Sequence, residues 1–91
     1  MTEKVVKNQA AQRYELQAGD AMAFARYHEV DGVVQILHVE APPELRGTGA
    51  AGRLMDGMMR LIRAEGRKAY PVCTYALAWL RKHPEYQNDV R

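Results

Sequence analysis

The run Arg46-Gly47-Thr48-Gly49-Ala50-Ala51-Gly52 carries the clearest chemical signal in the chain. It lies between a strand-like stretch and the first residue of a helical one. Free N–H groups at a helix start, together with the positive end of the helix dipole, bind phosphate, and glycines let the backbone approach the anion closely. Arg46 adds a charge-assisted contact. The chemistry indicated is therefore capture of a phosphate-bearing ligand. Two well-known phosphate loops do not fit. No Gly-Lys-Ser/Thr follows, so this is not a Walker loop. Gly47-x-Gly49-x-x-Gly52 matches the dinucleotide fingerprint in its letters, but that motif needs its first glycine directly after the strand and an acidic residue about 20 positions on. Here Pro42-Pro43 intervene, and Arg67-Lys68 open the next strand.

The elements that must hold this loop can be read from periodicity. Residues 14–40 alternate as strands do: Tyr14 with Leu16, then Met22, Phe24 and Arg26 on one side and Ala23, Ala25 and Tyr27 on the other. Gly19-Asp20 and Asp31-Gly32 suit tight turns, which makes three antiparallel strands joined as a meander, the last over Val33–Glu40. Pro42-Pro43 stops that strand, and residues 44–49 form the loop. From Ala50 the period becomes helical. Ala51, Leu54, Met55, Met58, Leu61 and Ile62 share a stripe, Arg53, Asp56, Arg60 and Arg63 face water, and Gly66 terminates the helix. Residues 68–73 read as a fourth strand and residues 75–82 as a second helix, stopped by His83-Pro84. The polar tail, residues 85–91, is expected to fray. Strand, crossover helix and strand should form a right-handed parallel unit beside the meander, an α/β fold closed by a C-terminal helix.

At 91 residues the chain has room for one domain, residues 1–91 with a core over about 14–86, and 47% hydrophobic residues suffice to fill that core. A net charge of +2 and a pI near 8.9 lean toward anionic partners without the dense basic clusters of a dedicated nucleic-acid binder. Cys73 is the only cysteine, which excludes an internal disulfide; with no Cys/His cluster to bind metal, it points to a reducing compartment, the cytoplasm. Residues 1–12 are polar, with no apolar segment of the kind a signal peptide needs, and no run of 18 apolar residues exists to span a membrane.

Arg46-x-x-Gly49-x-Ala51 fits the acyl-coenzyme A loop of the GNAT superfamily, Arg/Gln-x-x-Gly-x-Gly/Ala. Leu37-His38-Val39-Glu40-Ala41-Pro42, Glu44-Leu45-Arg46-Gly47-Thr48-Gly49, Pro71-Val72-Cys73-Thr74-Tyr75 and His83-Pro84-Glu85-Tyr86 extend the likeness over residues 14–86. Four separated blocks in order are more specific than one glycine loop. In these blocks the chain resembles the small YjdJ-type GNAT N-acetyltransferases. The resemblance implies a reduced GNAT-like fold whose two parallel strands splay apart. Acetyl-CoA would enter the gap, its pantetheine bonding the backbone of residues 37–39, Leu37 and Val39 among them. Its pyrophosphate would lie on Arg46, Gly47, Thr48, Gly49, Ala50 and Ala51. Helical spacing puts Tyr75 and Trp79 on one face of the second helix, against the cofactor tail or simply in the core. The early helices and final strands that usually form the acceptor groove are absent from the sequence.

Acetyl transfer to an amine needs a deprotonated amine, a donor to the oxyanion and a proton for the leaving thiolate. Cys73, at the end of the fourth strand, has two readings: a nucleophile that carries the acetyl group, or a small apolar residue lining the pocket. His38 and Glu40 share a strand face near the expected thioester, as proton relays or as solvated surface. The position of the superfamily's tyrosine acid holds Trp79 or Leu80, leaving Tyr75 or Tyr86 as substitutes. The expected reaction is N-acetylation of an amine: a protein lysine, a terminal amine or a small polyamine. One alternative is a CoA or acyl-CoA sensing module without chemistry. A second is a nucleic-acid binder built on Arg60, Arg63, Arg67 and Lys68, weakened because no aromatic residue interleaves those charges.

Overall fold

The computed structural model describes residues 4–91; Met1, Thr2 and Glu3, the start of the polar stretch, lie outside the described residues. Five strands form one sheet in the order β1 (Val5–Asn8), β2 (Arg13–Ala18), β3 (Ala21–Val30), β4 (Val33–Glu40) and β5 (Lys68–Pro71). Neighbours from β1 to β4 pair antiparallel, and β4 pairs with β5 in parallel across the crossover helix α1 (Ala50–Ala64). Helix α2 (Thr74–Arg81) follows β5. The expected α/β architecture is the observed one: a meander, then a parallel β-α-β unit and a C-terminal helix.

The turns form where their residues favour them. Asp31 and Gly32, with φ of 52° and 78°, close the β3–β4 hairpin in the left-handed conformation that Asp and Gly tolerate best. Gly66 ends α1 at φ 70°: its N–H reaches the Arg63 carbonyl, and the Arg67 N–H reaches that of Ile62, the paired bonds of a Schellman motif.

Three expectations need correction. The meander has a fourth strand, β1, within the stretch read only as polar, where Val5 pairs with Leu16 and Lys7 with Tyr14. β5 ends at Pro71 rather than residue 73, because the Val72 and Cys73 N–H groups both turn to the Ile36 carbonyl at 3.0 Å and close the ladder. The tail does not fray. Pro84–Asp89 winds into a 3₁₀ turn, Tyr86 is buried, Asp89 accepts hydrogen bonds from Arg63 at 2.9 and 2.7 Å, and Val90 bridges to Ala69.

The core lies on one face of the sheet. Tyr14, Leu16, Ala23, Ala25, Tyr27, Val34, Ile36 and Ala69 point to α1, which answers with Ala50, Leu54, Met55, Met58, Met59 and Ile62; Ala51 and Leu61 of the expected stripe are only partly buried. Ala76 and Leu80 of α2 and Tyr86 of the tail join the same cluster. The helices and tail thus form one layer. Among the described residues no helix is long and apolar enough to cross a membrane.

Candidate active site

Pro43–Leu45 makes a 3₁₀ turn after β4, and Leu45, the one apolar residue of the loop, is buried and pins it to the core. Leu45 also organises the glycine segment, since its carbonyl accepts from the Thr48 N–H at 3.2 Å and from the Thr48 hydroxyl at 2.5 Å. Thr48 Oγ1 in turn accepts the Ala50 N–H at 3.3 Å, and the Thr48 carbonyl accepts from Arg53 Nη1 at 2.7 Å. Gly47 and Gly49 take φ of 79° and 82°, a conformation that disfavours any side chain. Gly49 is the N-cap of α1 and offers no side chain to satisfy the helix start. Among the described residues the N–H groups of Gly47, Gly49, Ala51 and Gly52 have no acceptor. They border a cavity of 290 Å³ lined by Ala41, Leu45, Arg46, Tyr75 and the glycine loop. Unsatisfied donors, a bare backbone and the helix dipole together fit a pyrophosphate.

The strand edge beside the loop is open. The β4–β5 ladder stops at the Ile36–Pro71 pair, while β4 continues to Glu40 against β3 alone. Leu37 marks a β-bulge: Ile36 pairs with Tyr27 and His38 with Arg26, so Leu37 has no partner. The extra residue reverses the strand's phase. Before it, the carbonyls of Gly32 and Ile36 face β5; after it, odd positions take over that side, so Val39 presents its main chain to the gap and its side chain to the core. No Gly or Pro interrupts residues 33–40, so the bulge leaves no mark in the local pattern.

His38 and Glu40 stand together as their spacing required, with Nε2 and Oε1 3.0 Å apart and side chains 45% and 54% exposed. Cys73 is half-buried and caps α2, its N–H bound to Ile36 and its carbonyl to the Leu77 N–H, so the thiol sits where the strands part. Tyr75 lies in the first turn of α2 and lines the loop cavity. Burial, with the nearby Cys73 thiol adding to it, pushes its phenol above the ordinary tyrosine value, which keeps it protonated.

The other tyrosine offered as an acid is elsewhere. Tyr86 donates to Asp56 Oδ1 at 2.6 Å against the flank of α1, so of these two tyrosines it is Tyr75 that lines the loop cavity. Trp79 stacks on His83 at 3.6 Å, with its indole nitrogen 3.4 Å from where a Gly52 Cβ would stand. It therefore lines a second cavity of 560 Å³ along α1, with Gly52 at the border of both. Gly52 and Trp79 as neighbours were not evident from sequence, because their contact joins two helices.

The basic residues offered for nucleic acid are engaged: Arg60 with Asp56, Arg63 with Asp89, Arg67 with Glu29 and Glu65, and Lys68 with the Asn88 carbonyl.

Comparison with known proteins adds one finding. The family model described as GCN5-related N-acetyl-transferase matches residues 13–90, from the start of β2 to the end of the tail. No curated protein matches the sequence. The match takes in β2 to β4 of the meander, the glycine loop, the open strand edge and α2, and the chain belongs to the GCN5-related N-acetyltransferase family.

Proposed function

We infer that the protein is an acetyl-CoA-dependent N-acetyltransferase of the small YjdJ-type kind, working in a reducing cytoplasm on an amine acceptor. The observation that carries this reading is the pairing of a loop of unsatisfied amides with a strand edge opened beside it by the Leu37 bulge. Gly47, Gly49, Ala51 and Gly52 offer N–H groups to a pyrophosphate, and Arg46 adds charge. The main chain of Val39 offers an edge on which an amide-bearing arm adds as a strand would. Bound acetyl-CoA supplies the activated acyl group as a thioester.

The chain's own residues then handle protons. The His38–Glu40 pair takes one from the attacking amine, whose nitrogen bonds to the acetyl carbon as the C–S bond breaks. Tyr75 supplies one to the departing sulfur. In this reading Cys73 lines the gap.

Calorimetric titration with acetyl-CoA tests the reading, using the wild type and Gly49→Trp, which places a bulky group where the anion must approach. Micromolar binding lost in the variant is the expected result. Absence of binding by the wild type would reduce the family likeness to a shared scaffold, and binding without turnover of any amine would favour the sensing module.

A further inference from the structure

The larger cavity, 560 Å³ along α1, has no part in the transfer chemistry, yet it begins where the pyrophosphate loop ends, because Gly52 borders both. Its floor runs along α1 from Gly52 to Arg60, about 12 Å of helix. Gly52 and Gly57 bring no side chain to that floor. One wall is aromatic: Trp79 and His83 are half-buried and stack at 3.6 Å with 11° between their planes. His83 Nδ1 donates to the Trp79 carbonyl at 2.7 Å, which fixes the imidazole and its tautomer. Val5, on another side of the cavity, belongs to β1 and lies outside residues 13–90, so the family match does not account for it. Arg53, Arg60 and Asp56 supply the charge, two guanidiniums against one carboxylate.

Resting on the transferase reading, we propose that this cavity holds the nucleotide end of acetyl-CoA, and that Trp79, His83 and Arg60 thereby select a free coenzyme A thioester over an acyl group carried on phosphopantetheine alone. Continuity comes first: a group joined to a pyrophosphate on the loop amides lies at the mouth of this cavity, since Gly52 is common to the two. Its volume is that of a small-molecule site. The stacked Trp79–His83 pair gives a flat aromatic wall, and purine rings stack on such walls. Charge comes last. Arg60, with its side chain 74% exposed, is paired with Asp56 at 3.0 Å, a surface ion pair that costs little to exchange for a phosphate. Arg53 adds positive charge between the cavities while its Nη1 holds the Thr48 carbonyl. The wall meets the purine, and the Arg60 end meets the ribose phosphate.

Trp79 is the single tryptophan of the chain, so its fluorescence reports on this cavity directly. Acetyl-CoA and adenosine bisphosphate, which has no pantetheine arm, should each quench it saturably in the full-length protein. Calorimetry then compares acetyl-CoA, its dephospho form without the ribose phosphate, and acetyl-phosphopantetheine, which ends before the nucleotide. Trp79→Leu and His83→Ala should each weaken acetyl-CoA binding about tenfold, as loss of a stacking partner allows, and leave acetyl-phosphopantetheine binding unchanged. A merely structural role would weaken both ligands alike. Arg60→Gln should weaken acetyl-CoA about fivefold and leave the dephospho form unaffected. Acetyl-CoA that binds by calorimetry without changing Trp79 fluorescence, or that binds folded His83→Ala and Arg60→Gln as tightly as the wild type, would overturn this inference alone. Failure of the wild type to bind acetyl-CoA at all would overturn the transferase reading and this inference with it.

Discussion

Tyr75 is the residue at which sequence and structure supply different parts of one argument. Its place at the start of a helix is evident from the Pro71-Val72-Cys73 block before it; that Trp79 lies against Gly52 and Tyr86 is tied to Asp56 is not, because both outcomes depend on contacts with α1. Burial, reinforced by Cys73, raises the Tyr75 phenol above its ordinary 10.0. A proton donor with a raised value stays protonated further into alkali, so its activity is lost only as pH climbs through that higher value. Tyr75→Phe should lower kcat about a hundredfold, within the usual range for general acids, with acetyl-CoA binding retained. In the pH–rate profile, the limb at which the wild type loses this donor should lie above pH 10.0 and be missing in the variant. An unchanged kcat would return the proton to solvent.

At the scale of elements, what could be read from sequence tracks the density of local signals. The glycine loop and α1 announce themselves through Pro42-Pro43, the glycines and a helical stripe. β1 does not, since Val5-Val6 is too short an apolar run to mark a strand and its support comes from afar: pairing with β2, and Gly57 on α1, which lets Val5 close against the helix. Gly57 and Gly52 each interrupt α1, and the reasons differ. A Cβ at Gly57 would lie 2.3 and 2.7 Å from Val5 atoms, whereas one at Gly52 would sit 3.4 Å from Trp79, an ordinary contact. Replacing a mid-helix glycine by alanine favours the helix by about 1 kcal/mol, while overpacking costs about 1–3 kcal/mol. Gly57→Ala should therefore destabilise by up to about 2 kcal/mol, and Gly52→Ala should stabilise by up to about 1 kcal/mol. Urea midpoints that move in opposite directions would bear this out, and a stabilised Gly57→Ala would mean that β1 does not pack on α1 as described.

Across the whole molecule, the polar clamps gather at the end away from the site. Lys7, with its side chain only 11% exposed, donates to Glu29 at 2.6 Å and to Glu65 at 3.1 Å, and lies over the rings of Tyr14 and Tyr27; Arg67 joins the same two carboxylates. Arg63 holds the tail through Asp89 and the Glu85 carbonyl. Arg67 and Glu65 are near neighbours in sequence, but the ties made by Lys7 and Arg63 span 22 to 58 positions, so they were not legible in a local pattern. They fasten both described ends of the chain around the C-terminal half of α1. The clamp has a definite pH signature. Burial pushes the Glu65 carboxyl up, but hydrogen bonds from Lys7 and Arg67 outweigh it and hold the group below its ordinary 4.5. Burial likewise pushes the Lys7 ammonium down, and the bonds to Glu29 and Glu65 outweigh that too, holding it above the ordinary lysine range. A depressed carboxyl contributes stability above its unfolded value and loses it as pH falls through the folded one; a raised ammonium contributes below its unfolded value and fails only in strong alkali. The stability gap between wild type and Glu65→Gln should accordingly be widest between about pH 5 and pH 9 and close as pH drops below 4.5, where Glu65 takes up a proton. Urea unfolding at pH 7, 5 and 3 measures the gap directly. If it stayed constant down to pH 3, Glu65 would be contributing through packing rather than charge.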